Sequence, residues 1–199
     1  MKSNDPIEVK AASGIQPSYF KSALRRKIAA LKKNACAGDL QHESKMIVQR
    51  ITSLPIFRAA INVGAYLPVF GEPDILPLFD VPAKKFFIPA FDENTGSYRL
   101  AELMPELHAG KFGIPEPPAP AFAGANEIHL LIVPGVAFDA GGRRLGRGGG
   151  FYDRILSLYT APVVGVCFNF QIMDFIPQEP HDRRTSFVVS GDHFFSVCG

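Results

Sequence analysis

Residues 130–154 read LLIVPGVAFDAGGRRLGRGGGFYDR, and the order of residue types within them decides the fold. Leu130 to Val133, with Ile128 just before, form an unbroken apolar run that ends at Pro134-Gly135. Such a run, with no polar alternation, suits a strand covered on both faces of its sheet. A glycine-rich stretch follows, and Tyr152 to Leu158 then reads as helical. Strand, glycine turn and helix in that order make the repeating unit of an α/β protein with a mostly parallel sheet.

The same alternation extends outward from this stretch. Ile61 to Leu67 (INVGAYL) reads as a strand followed by turn residues from Pro68 to Pro73. Lys85 to Pro89, Ser97 to Leu103, Pro162 to Phe168 and Ser186 to Val189 read as further strands. Phe20, Leu24, Ile28, Leu31 and Ala35 form one helical stripe from Ser18 to about Ala35, with Pro17 and Ser18 as start signals. A second helix is expected from Asp39, as its N-cap, to Leu54, with Ile47, Ile51 and Leu54 inward and Pro55 stopping it. Asp74 to Phe79 is helical or irregular, Pro77 speaking against a regular helix. Gly110 to Gly124, with Pro115, Pro117, Pro118 and Pro120, reads as a semi-rigid loop and not as a linker. The expectation is one domain over residues 17–199 after a flexible extension at 1–16. Its fold would be three-layered, with a mostly parallel, Rossmann-like central sheet flanked by helices.

Composition narrows the function. The chain has 199 residues and a formal charge of +2, too mild for a broad nucleic-acid surface. Cys36, Cys167 and Cys198 are odd in number and lack a CxxC spacing, so neither a disulfide framework nor a zinc site is expected. The N-terminal residues lack the apolar run of a signal peptide, and no stretch approaches the ~20 apolar residues of a membrane span. A soluble, cytoplasmic protein follows as the expectation, with any important positive charge gathered around a site.

Residues 141–153 hold the parts of an anion site. Glycines allow backbone N–H groups to approach an anion, and a helix N-terminus just beyond adds a positive dipole end. Arg144 and Arg147 supply forked donors for phosphate oxygens, and Asp153 is a hard oxygen ligand of the kind that suits magnesium. The pattern is not a P-loop, because no Gly-Lys-Ser/Thr follows the glycines, and Phe151 misplaces the third glycine of a dinucleotide fingerprint. By chemistry alone, the same residues could also form a flexible loop with solvated arginines.

Pro134-Gly135, Phe138-Asp139 and Arg144 to Arg154 (RLGRGGGFYDR) together resemble the signature of the 5-formyltetrahydrofolate cyclo-ligase family. Lys21-Ser-Ala-Leu24-Arg25, Tyr66-Leu67 with Glu72, Ile114-Pro-Glu-Pro117, Gln171 and Pro177 to Asp182 extend the similarity over most of the chain. The resemblance implies an ATP- and magnesium-dependent enzyme, a carbon–nitrogen ligase of one-carbon metabolism. It would cyclise 5-formyltetrahydrofolate to 5,10-methenyltetrahydrofolate with release of ADP and phosphate.

Residue by residue, the resemblance assigns ATP contacts to Lys21, Ser22, Ala23, Leu24 and Arg25, and to Arg144, Leu145, Gly146, Arg147, Gly148, Gly149, Gly150, Phe151 and Tyr152. Arg147 and Lys21 are the expected catalytic residues. Leu67, Glu72, Arg147, Gly148, Gly149, Gly150 and Phe151 would meet the folate. Asp153 and Asp182 would hold magnesium. A monomer acting on a small molecule is implied, the folate carrying one or several glutamates, with no nucleic acid or membrane partner. Departures are Gly149, where some members have Lys, Phe151, where Tyr is usual, and Arg183-Arg-Thr-Ser186. A non-catalytic folate- or nucleotide-binding paralogue and a sugar-phosphate-isomerase-like enzyme are the competing readings. ATP-dependent turnover separates them from the first.

Overall fold

The computed structural model describes residues 17–69, 71–110 and 114–197. Cys198 and the expected extension at 1–16 lie outside these residues. Helix α1 spans Pro17–Lys33, α2 Ala37–Ser53 and α3 Pro55–Ala59. The strands are β1 Asn62–Gly64, β2 Lys85–Asp92, β3 Ser97–Glu102, β4 His108–Ala109, β5 Pro115–Glu116, β6 Leu130–Pro134, β7 Ala137–Asp139 and β8 Arg144–Leu145. Helix α4, Phe151–Leu158, is followed by β9 Val163–Val166, β10 Ile172–Met173, β11 Phe187–Val189 and β12 Phe194–Ser196.

A seven-stranded sheet runs in the order β12-β11-β9-β6-β1-β2-β3. Its pairings β2/β1, β1/β6, β6/β9 and β9/β11 are parallel, and antiparallel strands β3 and β12 close the two edges. The two covered faces follow from side-chain alternation. Leu130 and Ile132 of β6 pack with Val63, Val164, Val166 and Val189 against Ile47, Ile51 and Phe57 of α2 and α3. Leu131 and Val133 point the other way, into Phe87, Leu100 and Ile155, Leu156 and Tyr159 of the α4 region. The apolar run of residues 130–133 is thus buried on both sides, as its composition requires.

The chain order of the parallel strands reverses between β1 and β6, where β2 lies on one side and β9 on the other. Loops leaving the carboxyl ends of strands on either side of such a reversal diverge and open a crevice. Pro55 ends α2 but also starts α3 at its first turn, where a missing N–H costs nothing. Residues 76–80, doubted as a regular helix because of Pro77, form a 3₁₀ turn. A second, three-stranded sheet, β10-β7-β8, caps the strand ends, and Ile28 of α1 packs with Ala137, Leu145 and Ile176 over it.

Candidate functional site

The hairpin β7–β8 builds one wall of the crevice. Asp139 is fully buried and its carboxylate accepts hydrogen bonds from Gly141 N–H (2.9 Å), Arg143 N–H (3.0 Å) and Ile176 N–H (2.9 Å), and an ion pair from Arg143 (3.1 Å). This ties the turn at 140–143 shut and turns Arg143 away from ligand duty. Arg144 and Leu145 run back antiparallel to β7, and Gly146 to Gly150 then lead into α4. Gly148 and Gly150 have φ of 109° and 62°, conformations that strain any residue with a Cβ. Gly150 caps α4 without a side-chain hydrogen bond, so the helix N-terminus keeps its N–H groups for a ligand.

These residues line a cavity of about 480 Å³ at the switch point, within the usual span of small-molecule sites. Lys21, Ser22 and Arg25 reach it from α1; Leu67 and Glu72 follow β1; Arg144, Leu145, Gly146 to Gly150, Phe151, Tyr152 and Asp153 follow β7; Asp182 comes from the loop before β11. Of the residues expected at the site, only Ala23 and Leu24 are not in its wall. Leu24 instead packs beside Ile28 toward the small sheet, and helical spacing carries Ala23 to another side of α1.

The walls also include residues that the sequence reading left outside the site. Tyr66, Ile88, Pro89, Ile114, Pro115, Pro134 to Val136, Glu179 and His181 all line the cavity. The positions after β1 and β6 are findable in principle, because ligands collect where parallel strands end. Ile114 and Pro115 arrive through the β4–β5 hairpin, and no local signal in a proline-rich loop announces it. The buried Glu116 pins that hairpin, accepting from Phe91 N–H at 2.9 Å and Tyr98 O–H at 3.1 Å.

Most charges in the cavity are paired. Lys21 Nζ lies 2.6 Å from both Glu179 Oε2 and Asp182 Oδ2. Burial opposes the Lys21 charge, but the hydrogen bonds and charges of Asp182 and Glu179 outweigh it and raise its pKa. Burial likewise opposes the Asp182 carboxylate, and the Lys21 and Glu179 N–H hydrogen bonds carry its pKa below the ordinary value. Arg144, almost wholly buried, holds Asp153 Oδ1 at 2.8 Å with its guanidinium over the Tyr152 ring. Arg147 meets Glu72 Oε1 at 2.6 Å, and Arg25 Nε donates to Gly146 O at 2.9 Å, fastening α1 to the glycine segment. Burial above all pushes the Tyr66 and Tyr152 phenols up, with Glu72 adding to it, so both stay protonated; Tyr66 O–H donates to Pro73 O at 2.8 Å. The Cys167 thiol is raised by burial and stays protonated, unsuited to nucleophilic attack.

The donor chemistry fits a hard divalent cation. One ligand atom each from Glu179, His181 and Asp182 lie within 4.8 Å of one another, and the Lys21 ammonium already stands between the two carboxylates. Asp153 Oδ1 is taken by Arg144, and a magnesium site with phosphates needs only one or two carboxylates.

Known proteins resemble this chain along most of its length. The family model of the 5-formyltetrahydrofolate cyclo-ligase family matches residues 17–191. A 5-formyltetrahydrofolate cyclo-ligase of Mycolicibacterium smegmatis is 31% identical over 186 residues, 85% of this chain and 93% of that protein. One from Haemophilus influenzae is 29% identical over 170 residues, 80% and 91% of the two chains. The solution structure of Aquifex aeolicus 5,10-methenyltetrahydrofolate synthetase superposes with a TM-score of 0.80 at 31% identity, covering 89% of this chain and 93% of that one. With the loop, the cavity and these matches in agreement, the chain belongs to the 5-formyltetrahydrofolate cyclo-ligase family.

Proposed function

We propose that this enzyme uses ATP to cyclise 5-formyltetrahydrofolate to 5,10-methenyltetrahydrofolate, releasing ADP and phosphate. The observation that carries the reading is the single cavity lined by Gly146 to Gly150, Lys21, Arg147, Glu72, Asp153 and Asp182. The chemistry explains why ATP is needed. The N5-formyl group is an amide whose oxygen leaves poorly. Transfer of the γ-phosphoryl group to that oxygen turns it into a phosphate leaving group. N10 then attacks the formyl carbon, the C–O bond breaks, and phosphate departs as the methenyl ring closes.

The protein's part is to position and to stabilise charge. The N–H groups around Gly146 to Gly150 and the uncapped start of α4 face the phosphates. Arg147 swings from Glu72 onto the transferring phosphoryl group, and Lys21 moves from Glu179 and Asp182 to the same charge. Arg25 and Ser22 close α1 over the nucleotide. Arg144 acts on the phosphates chiefly by fixing Asp153. Glu72, freed from Arg147, accepts N–H hydrogen bonds from the pterin, and Leu67, Phe151 and Tyr152 enclose its flat face. Asp153 and Asp182 would hold magnesium, with Glu179 beside Asp182. Magnesium held there would offset the charge of the phosphate oxygens.

Residues 17–199 act as one catalytic domain in this reading. The sheet is then Rossmann-like: a nucleotide would lie at its switch point and at a helix N-terminus, with a strand order of its own. A cytoplasmic monomer taking mono- or polyglutamyl folate completes the proposal. Among the described residues no helix is long and apolar enough to cross a membrane. The test is stoichiometry: one ADP and one phosphate per methenyltetrahydrofolate formed. ADP release that continues without folate would point to a different phosphoryl acceptor and overturn the reading.

A further inference from the structure

Lys21, Arg25, Ile28 and Lys32 follow one another at intervals of four, three and four residues along α1, so they share one side of the helix. Lys21 and Arg25 line the cavity and Ile28 is the buried anchor. Lys32 continues the row past the cavity wall, to the turn that carries Glu72. That turn is closed by Glu72 N–H donating to Val69 O at 3.0 Å, and Glu72 Oε2 accepts back from Val69 N–H at 3.2 Å. Gly71 takes φ of 75°, and a Cβ built on it would overlap Cε and Nζ of Lys32. The lysine side chain therefore lies across the glycine immediately before Glu72. Its amino group is half-buried and feels Arg147 as a like charge and Glu72 as an opposite one.

We propose that Lys32 is a positioning residue for the substrate-binding carboxylate of Glu72, holding it in place when Arg147 turns away to the phosphates. The inference rests on the reading that Glu72 receives the folate. Two cations act on one carboxylate here, Arg147 by direct contact at 2.6 Å and Lys32 from its place over Gly71. Arg147 is 64% exposed and has a long swing, whereas Lys32 is packed against the Gly71 backbone. The repulsion between the two cations favours the departure of Arg147, and Lys32 keeps the Glu72 charge compensated afterwards. Glycine at position 71 acquires a second purpose beyond its positive φ: it leaves the space the lysine occupies. Burial, then the Arg147 charge, lower the Lys32 pKa against the opposing pull of Glu72, so departure of Arg147 removes one of the two effects that disfavour the ammonium.

The test is a double-mutant cycle on ligand binding without turnover, in the full chain. Dissociation constants for 5-formyltetrahydrofolate and for ATP would be measured separately for wild type, Lys32→Met, Glu72→Gln and the double variant, with Lys32→Arg as the charge-keeping control. Lys32→Met is expected to weaken folate binding about 3- to 10-fold, the size of a partly buried ion-pair contribution, and to leave ATP binding within about twofold. Lys32→Arg should recover most of the loss. In the Glu72→Gln background, Lys32→Met should have no further effect, because the carboxylate charge it acts on is gone. Unchanged folate binding in Lys32→Met, or an equal loss with and without Glu72, would overturn the proposal. Wild-type folate affinity in Glu72→Gln itself would instead remove Glu72 from the folate site, and the role of Lys32 would fall with it.

Discussion

Arg147 and Glu72 form one ion pair but are held very differently, with 64% and 13% of their side chains exposed. An exposed partner contributes little to stability. Arg147→Ala is therefore expected to leave the melting transition within about 0.5 kcal/mol of wild type while kcat/KM falls about 10²- to 10³-fold. Parallel unfolding and steady-state measurements check this; a fall in stability matching the fall in activity would make Arg147 structural. Lys21 and Asp182 are the opposite case, both well covered. Asp182 has a depressed pKa, so its contribution is present above the ordinary carboxylate range and lost as pH falls through the lowered folded value. Lys21 has a raised pKa, so its contribution holds below the ordinary lysine value and is lost as pH rises through the raised one. The destabilisation by Lys21→Met, roughly 2–3 kcal/mol, should be flat from about pH 5 to 9 and shrink in acid below about pH 4. Urea unfolding across that range tests it, and a cost that persists undiminished in acid would sever the pair from stability. At this scale the sequence shows the arginines and carboxylates as types but not their pairing. Residue types in a loop announce an anion site, whereas which carboxylate restrains which cation depends on contacts between residues up to 161 apart.

Elements explain which glycines matter. Gly150 starts α4 at φ 62° with Arg154 Nη1 3.1 Å from a would-be Cβ, while a Cβ on Gly149 would meet nothing within 4 Å. Gly150→Ala should cost about 1–2 kcal/mol, and Gly149→Lys less than about 0.5 kcal/mol, by thermal unfolding. Equal costs at both positions would mean the loop adopts another backbone path. Helix α1 is held by few apolar side chains, Ile28 being its buried one. Ile28→Ala, expected to cost ~2–4 kcal/mol, should also raise the KM for ATP, because Lys21 and Arg25 ride on the same helix. A loss of stability with unchanged KM would detach α1 from nucleotide binding. Long elements with a clear period, such as α1 and β6, were legible from the sequence to within a few residues. The two-residue strands β4, β5, β8 and β10 were not, because their pairing is fixed by distant partners and they are too short to carry a period of their own. The segment read as one glycine loop after β6 is in fact a hairpin, closed by the buried Asp139 before the glycines of the site begin.

For the whole molecule, the order β2-β1-β6-β9-β11 places the reversal of the sheet beside the strand from which the reading began. The parallel α/β class was legible because Leu130 to Val133 must be covered on both faces; the strand order was not, since apolar runs do not name their neighbours. The cavity at the reversal brings α1, the turn after β1, the glycine segment and the Glu179–Asp182 loop together from four separate parts of the chain. That these parts use ATP to close a folate ring is open to one direct assay. Purified protein would be mixed with 5-formyltetrahydrofolate, ATP and magnesium, the near-ultraviolet absorbance of methenyltetrahydrofolate followed, and each component omitted in turn. The expected result is a rise that requires protein, folate, ATP and magnesium together. A folded protein giving no rise with all four present, or the same rise without ATP, would contradict it.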